Sequence, residues 1–462
     1  MSKTNNVNPP VTSGQIYNLT IDDLGTHGEG IGKIDGFTVF APGALPGEEI
    51  EWQAFTVKKN YAVGKCRKII TSSSNRSEPR CPLFPACGGC QLQHLSYAAE
   101  LEWKERNVRE ILRRLGGVES PPVRPIKGAT SPWHYRNKMQ FPVGRIKGKP
   151  AIGCYAAGSH SVVSTENCLI QVPGNNKILR AAHKIIRQFA VPIYDERTGR
   201  GLLRHIVGRV GADGELMLVL VTAGFNLPRV KEIIRAFRDK LPLLVSLQQN
   251  IQPAPNNVIM GEETVLLWGQ PAIYDNIGDF SFAVSPRSFF QVNTAQAKVL
   301  YDTVADFAAL TGQETVLDAY SGTGTIGLYL AKKAKKIIGV EIVADAVKDA
   351  HENAERNHIE NAEFIVGDAA DVLPDFAAKK ILPDVVILDP PRSGLAQTVA
   401  DTVLRFAPSR LVYVSCNAAT LARDAALFCA QGYTLKAAQP VDMFPRTTGI
   451  ETVALFVRGR GA

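Results

Sequence analysis

At 462 residues, 45% of them hydrophobic, with a formal charge of +8, the chain is long enough for two to four domains with their own cores. No apolar run approaches the ~18 residues of a membrane-spanning helix, and the longest, around Leu216–Thr222, is strand-sized. Met1–Ser13 is polar with two prolines and reads as a loose tail, not a signal or transit peptide, so the expectation is a cytoplasmic protein without membrane contact.

From Gly14 to about Ile70, short alternating apolar runs (Gln15–Leu19, Gly36–Ala41, Glu49–Thr56, Tyr61–Ile69) are separated by Gly28–Gly32 and Pro42–Gly47, which read as turns. Evenly spaced short strands with Gly/Pro punctuation predict a small β-barrel, here placed at 10–72. Thr71–Asn75 reads as a linker. Cys81, Cys87 and Cys90 follow, with Gly88 and Gly89 between them. In a long chain such a cluster is more often a metal site than a disulfide framework. It supplies three thiolates; Cys66, Cys154 and Cys168 are candidates for a fourth, and spacing alone leaves an iron–sulfur cluster and zinc equally open. A helix is expected from Ser96 to about Leu115, closed by Gly116-Gly117.

An α+β middle domain is expected within 73–284, with helices near Asn176–Phe189 and Arg229–Leu241 and its clearest strands at Leu216–Thr222 and Val258–Glu262. From about Thr294, helix and strand alternate. Strands at Thr315–Asp318, Lys336–Glu341, Glu363–Val366, Asp384–Asp389 and Arg410–Ser415 are interleaved with helices at Gly327–Lys333, Ala344–Asn357, Val399–Phe406 and Ala419–Gln431. This alternation predicts a Rossmann-like α/β domain over 285–462, a parallel sheet with helices on both faces.

Charge is unevenly spread. Between Lys58 and Lys149 there are 19 Lys and Arg against six Glu and no Asp, a local balance of +13 that leaves about −5 for the rest. A basic front on an acidic rear suits a polyanion-binding module attached to a domain with another task. Lys58-Lys59-Asn60-Tyr61 and Trp133–Lys138 mix cations with aromatic rings, which fits phosphate contact with base stacking and is also found on solvated loops.

Leu317–Gly327 leaves a strand, turns on glycines and enters a helix, so a ligand can approach the backbone closely. Glu341 ends the next strand, where a carboxylate can accept from both ribose hydroxyls. A nicotinamide nucleotide competes with S-adenosylmethionine for this site. The latter is favoured by Asp368 after the third strand, placed to meet an adenine amino group, and by Asp389-Pro390-Pro391-Arg392 after the fourth. Cys416 follows the next strand on the same edge. Alone, a strand-end cysteine is more often an inert small hydrophobe. A methyl donor, a carboxylate and a thiol in one cleft, however, suit methylation of carbon 5 of uracil, which reacts only after a thiolate has added at carbon 6. With an ordinary pKa of about 8.5, such a thiol requires activation.

Asp389–Gly394 together with Ser415-Cys416-Asn417-Ala418-Ala419-Thr420 resembles the signature of the RNA (uracil-5-)-methyltransferase family, and Val441–Glu451 resembles its second signature. The resemblance covers essentially the whole chain. It implies S-adenosylmethionine as methyl donor, Cys416 as covalent nucleophile, Glu451 as the proton-abstracting base and Asp389 beside them. It implies cofactor contacts at Gln291, Tyr320, Thr325, Glu341, Asp368 and Asp389, with Phe289 stacking on the flipped uracil. Two positions depart from the family pattern, both in the loop that aims Glu451: Arg446 stands where Gln, His or Tyr is usual, and Gly449 where His is usual.

Gly14 to about Ile70 resembles the TRAM domain, an OB-like barrel of RNA-modifying enzymes. The ribosomal-RNA branch of the family carries a four-iron four-sulfur (4Fe-4S) cluster, which the resemblance assigns to Cys81, Cys87, Cys90 and Cys168. The implied partner is RNA, in particular 23S ribosomal RNA, with no obligate protein partner evident. The same reaction on transfer RNA, a catalytically idle RNA-binding homologue and cytosine-5 methylation are the competing readings.

Overall fold

The computed structural model describes residues 9–459. It divides into two compact units, one ending at Asn107 and taking in Pro445–Thr448, the other running Val108–Phe444 and resuming at Gly449.

In the first unit, β1 (Ile16–Leu24), β2 (Gly30–Ile34), β3 (Phe37–Ala41), β4 (Glu49–Val57) and β5 (Tyr61–Thr71) close a barrel in the order β1-β2-β3-β5-β4. Ile21, Val39, Ile50, Trp52 and Ala62 fill it. The Gly28–Gly32 stretch, expected as a turn, is partly strand, because β2 begins at Gly30. A Cβ at Gly32 would lie 2.6 Å from Thr20 O, so glycine is required there by close packing of β1 on β2 and not by chain reversal. A second small core joins Leu24 and Leu45 to Leu92, Leu95 and Trp103, packing the chain after the cysteine loop and the first half of α1 (Tyr97–Arg114) with the barrel.

This unit also explains Arg446. Glu100 and Lys104 pair at 2.8 Å with both side chains fully buried, a costly arrangement unless further bonds satisfy it. The Arg446 backbone N–H donates to Glu100 Oε1 at 2.8 Å, its guanidinium lies 3.5 Å from Oε2 and it donates to Leu95 O at 3.1 Å. The departure from the family pattern is therefore a structural ion-pair partner.

The second unit opens on a seven-stranded sheet ordered β12-β11-β10-β9-β6-β7-β8. Its elements are β6 (Lys138–Ile146), β7 (Lys149–Tyr155), β8 (Val162–Ser164), α2 (Pro173–Gln188), β9 (Leu203–Val210), β10 (Leu216–Thr222), α3 (Val230–Lys240), β11 (Leu244–Ile251) and β12 (Glu263–Gly269). Every residue of β10 is buried, which accounts for its unbroken apolar run. One face packs on α2 and α3; Val207, Met217, Val219 and Val221 on the other join the core of the C-terminal α/β part of this unit. The strand expected at Val258–Glu262 is a correction: that segment is irregular and β12 starts at Glu263. Asn250 takes over the pairing there. Its Nδ2 donates to Gly261 O and Glu263 O at 3.0 Å, and its Oδ1 accepts from Gly261 N–H at 2.7 Å.

A hairpin of β13 (Ile273–Ile277) and β14 (Phe280–Val284) leads into α4 (Thr294–Ala308). Then come β15 (Thr315–Asp318), α5 (Thr325–Ala331), β16 (Lys336–Glu341), α6 (Ala344–Arg356), β17 (Ala362–Val366), α7 (Ala369–Ala378), β18 (Val385–Leu388), α8 (Gln397–Phe406), β19 (Arg410–Ser415), α9 (Ala418–Ala430), β20 (Tyr433–Val441) and β21 (Glu451–Arg458). The sheet order is β17-β16-β15-β18-β19-β21-β20. Five parallel strands agree with the expected Rossmann-like domain; the antiparallel β21, inserted between β19 and β20, was not foreseen. Val441 and Glu451 face each other across β20 and β21. Among the described residues, no helix is long and apolar enough to cross a membrane.

Candidate active site

All the sequence-derived catalytic and cofactor residues lie in the second unit. After β15 the chain turns through Gly322, at φ +54 and with open space where a Cβ would stand. At the end of β16, Glu341 Oε2 accepts from Gly322 N–H at 3.0 Å and Oε1 from Val343 N–H at 2.9 Å. Beside it, Ile342 and Val343 are exposed. Asp318 Oδ2 accepts from Gly327 N–H at 3.1 Å, whereas the buried Asp318 Oδ1 and Ser321 Oγ have no hydrogen-bond partner among the described residues. An open glycine turn, an aimed carboxylate, an apolar ledge and orphaned buried oxygens fit a nucleoside with a cationic tail, as in S-adenosylmethionine.

The other expected contacts are distributed around this turn. The Thr325 hydroxyl meets Tyr301 Oη at 2.8 Å. Tyr320 is half-buried, and burial pushes its phenol up to about 12. Asp368 is exposed and caps α7, its Oδ1 accepting from Ala370 N–H at 2.8 Å. Gln291 is buried just before α4.

Cys416, Asp389 and Glu451 come together at the ends of β19, β18 and the start of β21. Asp389 and Glu451 both lie close enough to raise the Cys416 thiol, after burial, and the Arg392 guanidinium opposes them through its charge and a hydrogen bond to the sulfur. Burial, then Asp389, holds the Glu451 carboxyl well above the ordinary range, with Arg392 again pulling down. Cys416 precedes the Asn417 N-cap of α9, whose side chain accepts from Ala419 N–H at 3.0 Å; a helix N-terminus favours the thiolate. Asn417 Nδ2 donates to Arg392 O at 3.1 Å, fixing one loop against the other. Asp424 Oδ2 reinforces them, accepting from Leu395 N–H at 3.1 Å and Tyr413 Oη at 2.7 Å. Sequence reasoning gave Arg392, Asn417 and Asp424 no role; Arg392, next to the Asp-Pro-Pro turn, was the one with a visible signal.

Phe289 is 69% exposed on a loop that Arg209 holds by donating to Ser288 O and Pro286 O. A large ring presented to solvent on an anchored loop is suited to stacking on a base.

Burial pushes Asp389 up to about 7, and burial with the Asp389 charge does the same to Asp318. Unfolded, both titrate near 3.8. Between these values the folded state holds protons that the unfolded state has lost, so stability falls as pH rises through this window. Asp318→Asn, which cannot acquire the buried charge, is expected to melt several degrees above the parent protein at pH 8 and no higher near pH 4. Thermal melts across that range check this, and an equal shift at both ends would disprove the assignment.

The cysteine loop lies in the first unit. Cys81 N–H donates to Gln93 Oε1 at 3.1 Å and Gly89 N–H points at Cys87 Sγ from 3.5 Å, a contact that suits a thiolate. Cys168 lies in the second unit, bracketed by Asn176, which accepts from its N–H at 2.9 Å and donates to its carbonyl at 3.1 Å. Among the described residues, no three His, Cys, Asp or Glu side chains are gathered as a metal site.

Comparison with known proteins gives a consistent picture. Residues 274–459 match a family described as tRNA (uracil-5-)-methyltransferase, and residues 10–66 match the TRAM domain. An uncharacterized RNA methyltransferase of Halalkalibacterium halodurans is 46% identical over 96% of this chain and 98% of its own. Another, of Listeria monocytogenes, is 45% identical over 96% and 97%. Among solved structures, Pyrococcus abyssi tRNA (uracil-54, C5)-methyltransferase in complex with S-adenosyl-L-homocysteine superposes with a TM-score of 0.76 at 26% identity, covering 96% of this chain and all of that one.

Proposed function

Since this chain belongs to the RNA (uracil-5-)-methyltransferase family, we propose that it methylates carbon 5 of a specific uridine in 23S ribosomal RNA, in the cytoplasm, through a covalent Cys416 adduct. It is an S-adenosylmethionine-dependent RNA methyltransferase. The observation that carries the covalent mechanism is the meeting of Cys416, Asp389, Glu451 and Arg392 at one sheet edge. S-adenosylmethionine supplies an electrophilic methyl group, and Glu341, the glycine turn, Gln291 and the buried carboxylates hold it. The Cys416 thiolate adds to carbon 6 of the uracil, turning the C5=C6 bond into an enolate. Carbon 5 takes the methyl group as the methyl's bond to the sulfonium sulfur breaks, and S-adenosylhomocysteine is the leaving group. Glu451 then removes the carbon-5 proton, the double bond re-forms, and the Cys416 sulfur leaves as thiolate. Arg392 keeps a positive charge beside the sulfur and the base, and Phe289 stacks on the flipped uracil.

We assign residues 10–72 to RNA gripping, 73–284 to the central domain and 285–462 to catalysis. Support for ribosomal RNA is the resemblance of the barrel and cysteine loop to that branch. Transfer RNA is a second reading, favoured by the Pyrococcus protein, whose named substrate is a tRNA and which is similar over nearly the whole chain. Mapping 5-methyluridine in both RNAs from cells lacking the gene decides between them: a residue missing from 23S RNA supports the first, one missing only from tRNA the second.

Cys81, Cys87, Cys90 and Cys168 are proposed to hold a structural four-iron four-sulfur cluster, consistent with an all-thiolate donor set. Protein purified without air is expected to be brown, with about four irons per chain, since a full thiolate set of this kind carries four. Cys168→Ser releases the iron and Cys154→Ser does not. Stoichiometric zinc without visible absorption would rule the cluster out.

A further inference from the structure

The central sheet carries a cavity of about 600 Å³ that the methyl-transfer site does not use, formed by the ends of β6, β7 and β9 and the loop around Glu196. This is within the usual range for a small organic ligand. Its walls are stacked planes: the Tyr155 and His160 rings lie 5.0 Å apart and 23° from parallel, and the Arg204 guanidinium sits 4.6 Å from the Tyr194 ring centroid. Arg204 is rigid, donating to Gln252 O at 2.6 Å and Ala254 O at 2.7 Å. Glu196 is held in place by Tyr155 Oη at 3.2 Å and His160 Nδ1 at 2.8 Å, and the His160 bond keeps its carboxyl below the ordinary range. His205, only 8% exposed, lines the cavity, and its Nδ1 has no hydrogen-bond partner among the described residues. Burial pushes its imidazole down to about 4, so it offers a neutral ring at physiological pH. An orphaned buried nitrogen beside stacking planes and an acceptor-only carboxylate is a site built for a polar, planar molecule.

We propose that this cavity binds an unpaired guanosine of the RNA substrate, distinct from the methylated uridine. The proposal rests on the RNA reading given above. Unpaired RNA bases are recognised by stacking on aromatic and guanidinium planes and by hydrogen bonds to their edges. Guanine presents N1–H and the N2 amino group side by side, two donors that match the Glu196 carboxylate. Uracil has one donor there, and adenine and cytosine have no second adjacent one. The exposed Arg197 at the rim meets the phosphate.

The test uses the full-length protein as purified. Guanosine monophosphate is titrated calorimetrically against AMP, CMP and UMP, and methylation kinetics are measured on RNA from cells lacking the gene. GMP is expected to bind more tightly than the other three. Glu196→Gln, a partly exposed position, is expected to weaken GMP about tenfold and raise KM for RNA about tenfold, the usual scale for one base-edge contact, leaving kcat and KM for S-adenosylmethionine unchanged. Tyr194→Leu, which removes a stacking plane, is expected to shift the same two quantities. Equal binding of UMP and GMP, or no GMP binding, overturns the guanine assignment. Weakened GMP binding with unchanged KM for RNA overturns RNA as its source. A wild-type protein that methylates no RNA is a different result, since it overturns the functional reading, whereas unchanged Glu196→Gln kinetics in an active enzyme overturn this proposal alone.

Discussion

Incubated with S-adenosylmethionine and its RNA, the Glu451→Gln protein is expected to accumulate methylated RNA joined to the enzyme through Cys416. The steps before proton removal do not need the carboxylate. They are eased by its loss, because the Glu451 charge is one of the influences holding the Cys416 thiol up. With the amide in place, thiolate addition and methyl transfer proceed and elimination stalls. Losing general-base help typically slows a step ~10²–10⁴-fold, long enough to see the adduct as a shifted band on a denaturing gel. Glutamine keeps the shape of this buried side chain, so a folding defect is not the expected outcome. Turnover close to the wild-type rate with no adduct would mean that another group takes the proton.

Cys416→Ala is expected to abolish both methylation and the adduct. Nucleophile removal in a covalent mechanism costs on the order of 10⁶-fold when nothing replaces it, and in this site Asp389 and Glu451 are the neighbouring groups, neither of them a substitute for a thiolate. The cofactor groups sit on other loops, so S-adenosylmethionine affinity should stay within a few-fold of wild type by equilibrium dialysis. The double variant Cys416→Ala, Glu451→Gln should show no band shift, identifying the linking residue. Methylation surviving in Cys416→Ala would refute the covalent route.

The sequence revealed much of the catalytic sheet because β15, β16, β18 and β19 are apolar strands feeding Gly, Asp-Pro-Pro and Ser-Cys-Asn turns, where local chemistry and topology agree. It misplaced β12, an edge strand whose residues are largely exposed and whose approach is directed by Asn250 instead of an alternating pattern. It missed α7, which carries an internal proline, and β20 with β21, because the family signature between them reads as a loop. Site electrostatics were less visible. Asp318 reads as the last residue of a strand, and only the fold brings its carboxyl within range of Asp389. Arg446 reads as an oddity until its partner Glu100, 346 positions away in sequence, is brought beside it.

That separation has a consequence for biosynthesis. The N-terminal unit buries Glu100 and Lys104, but two of the groups that satisfy Glu100 arrive with Arg446. At ribosomal speeds of roughly 5–20 residues per second, those groups emerge about 17 to 70 s after Glu100 does. During that interval a nascent barrel, with its cysteine loop already exposed, waits on a buried carboxylate lacking part of its hydrogen bonding. The segment of the protein made first is therefore among the last to reach its final packing, and a chain stalled before Pro445 leaves the ribosome with its N-terminal unit unfinished.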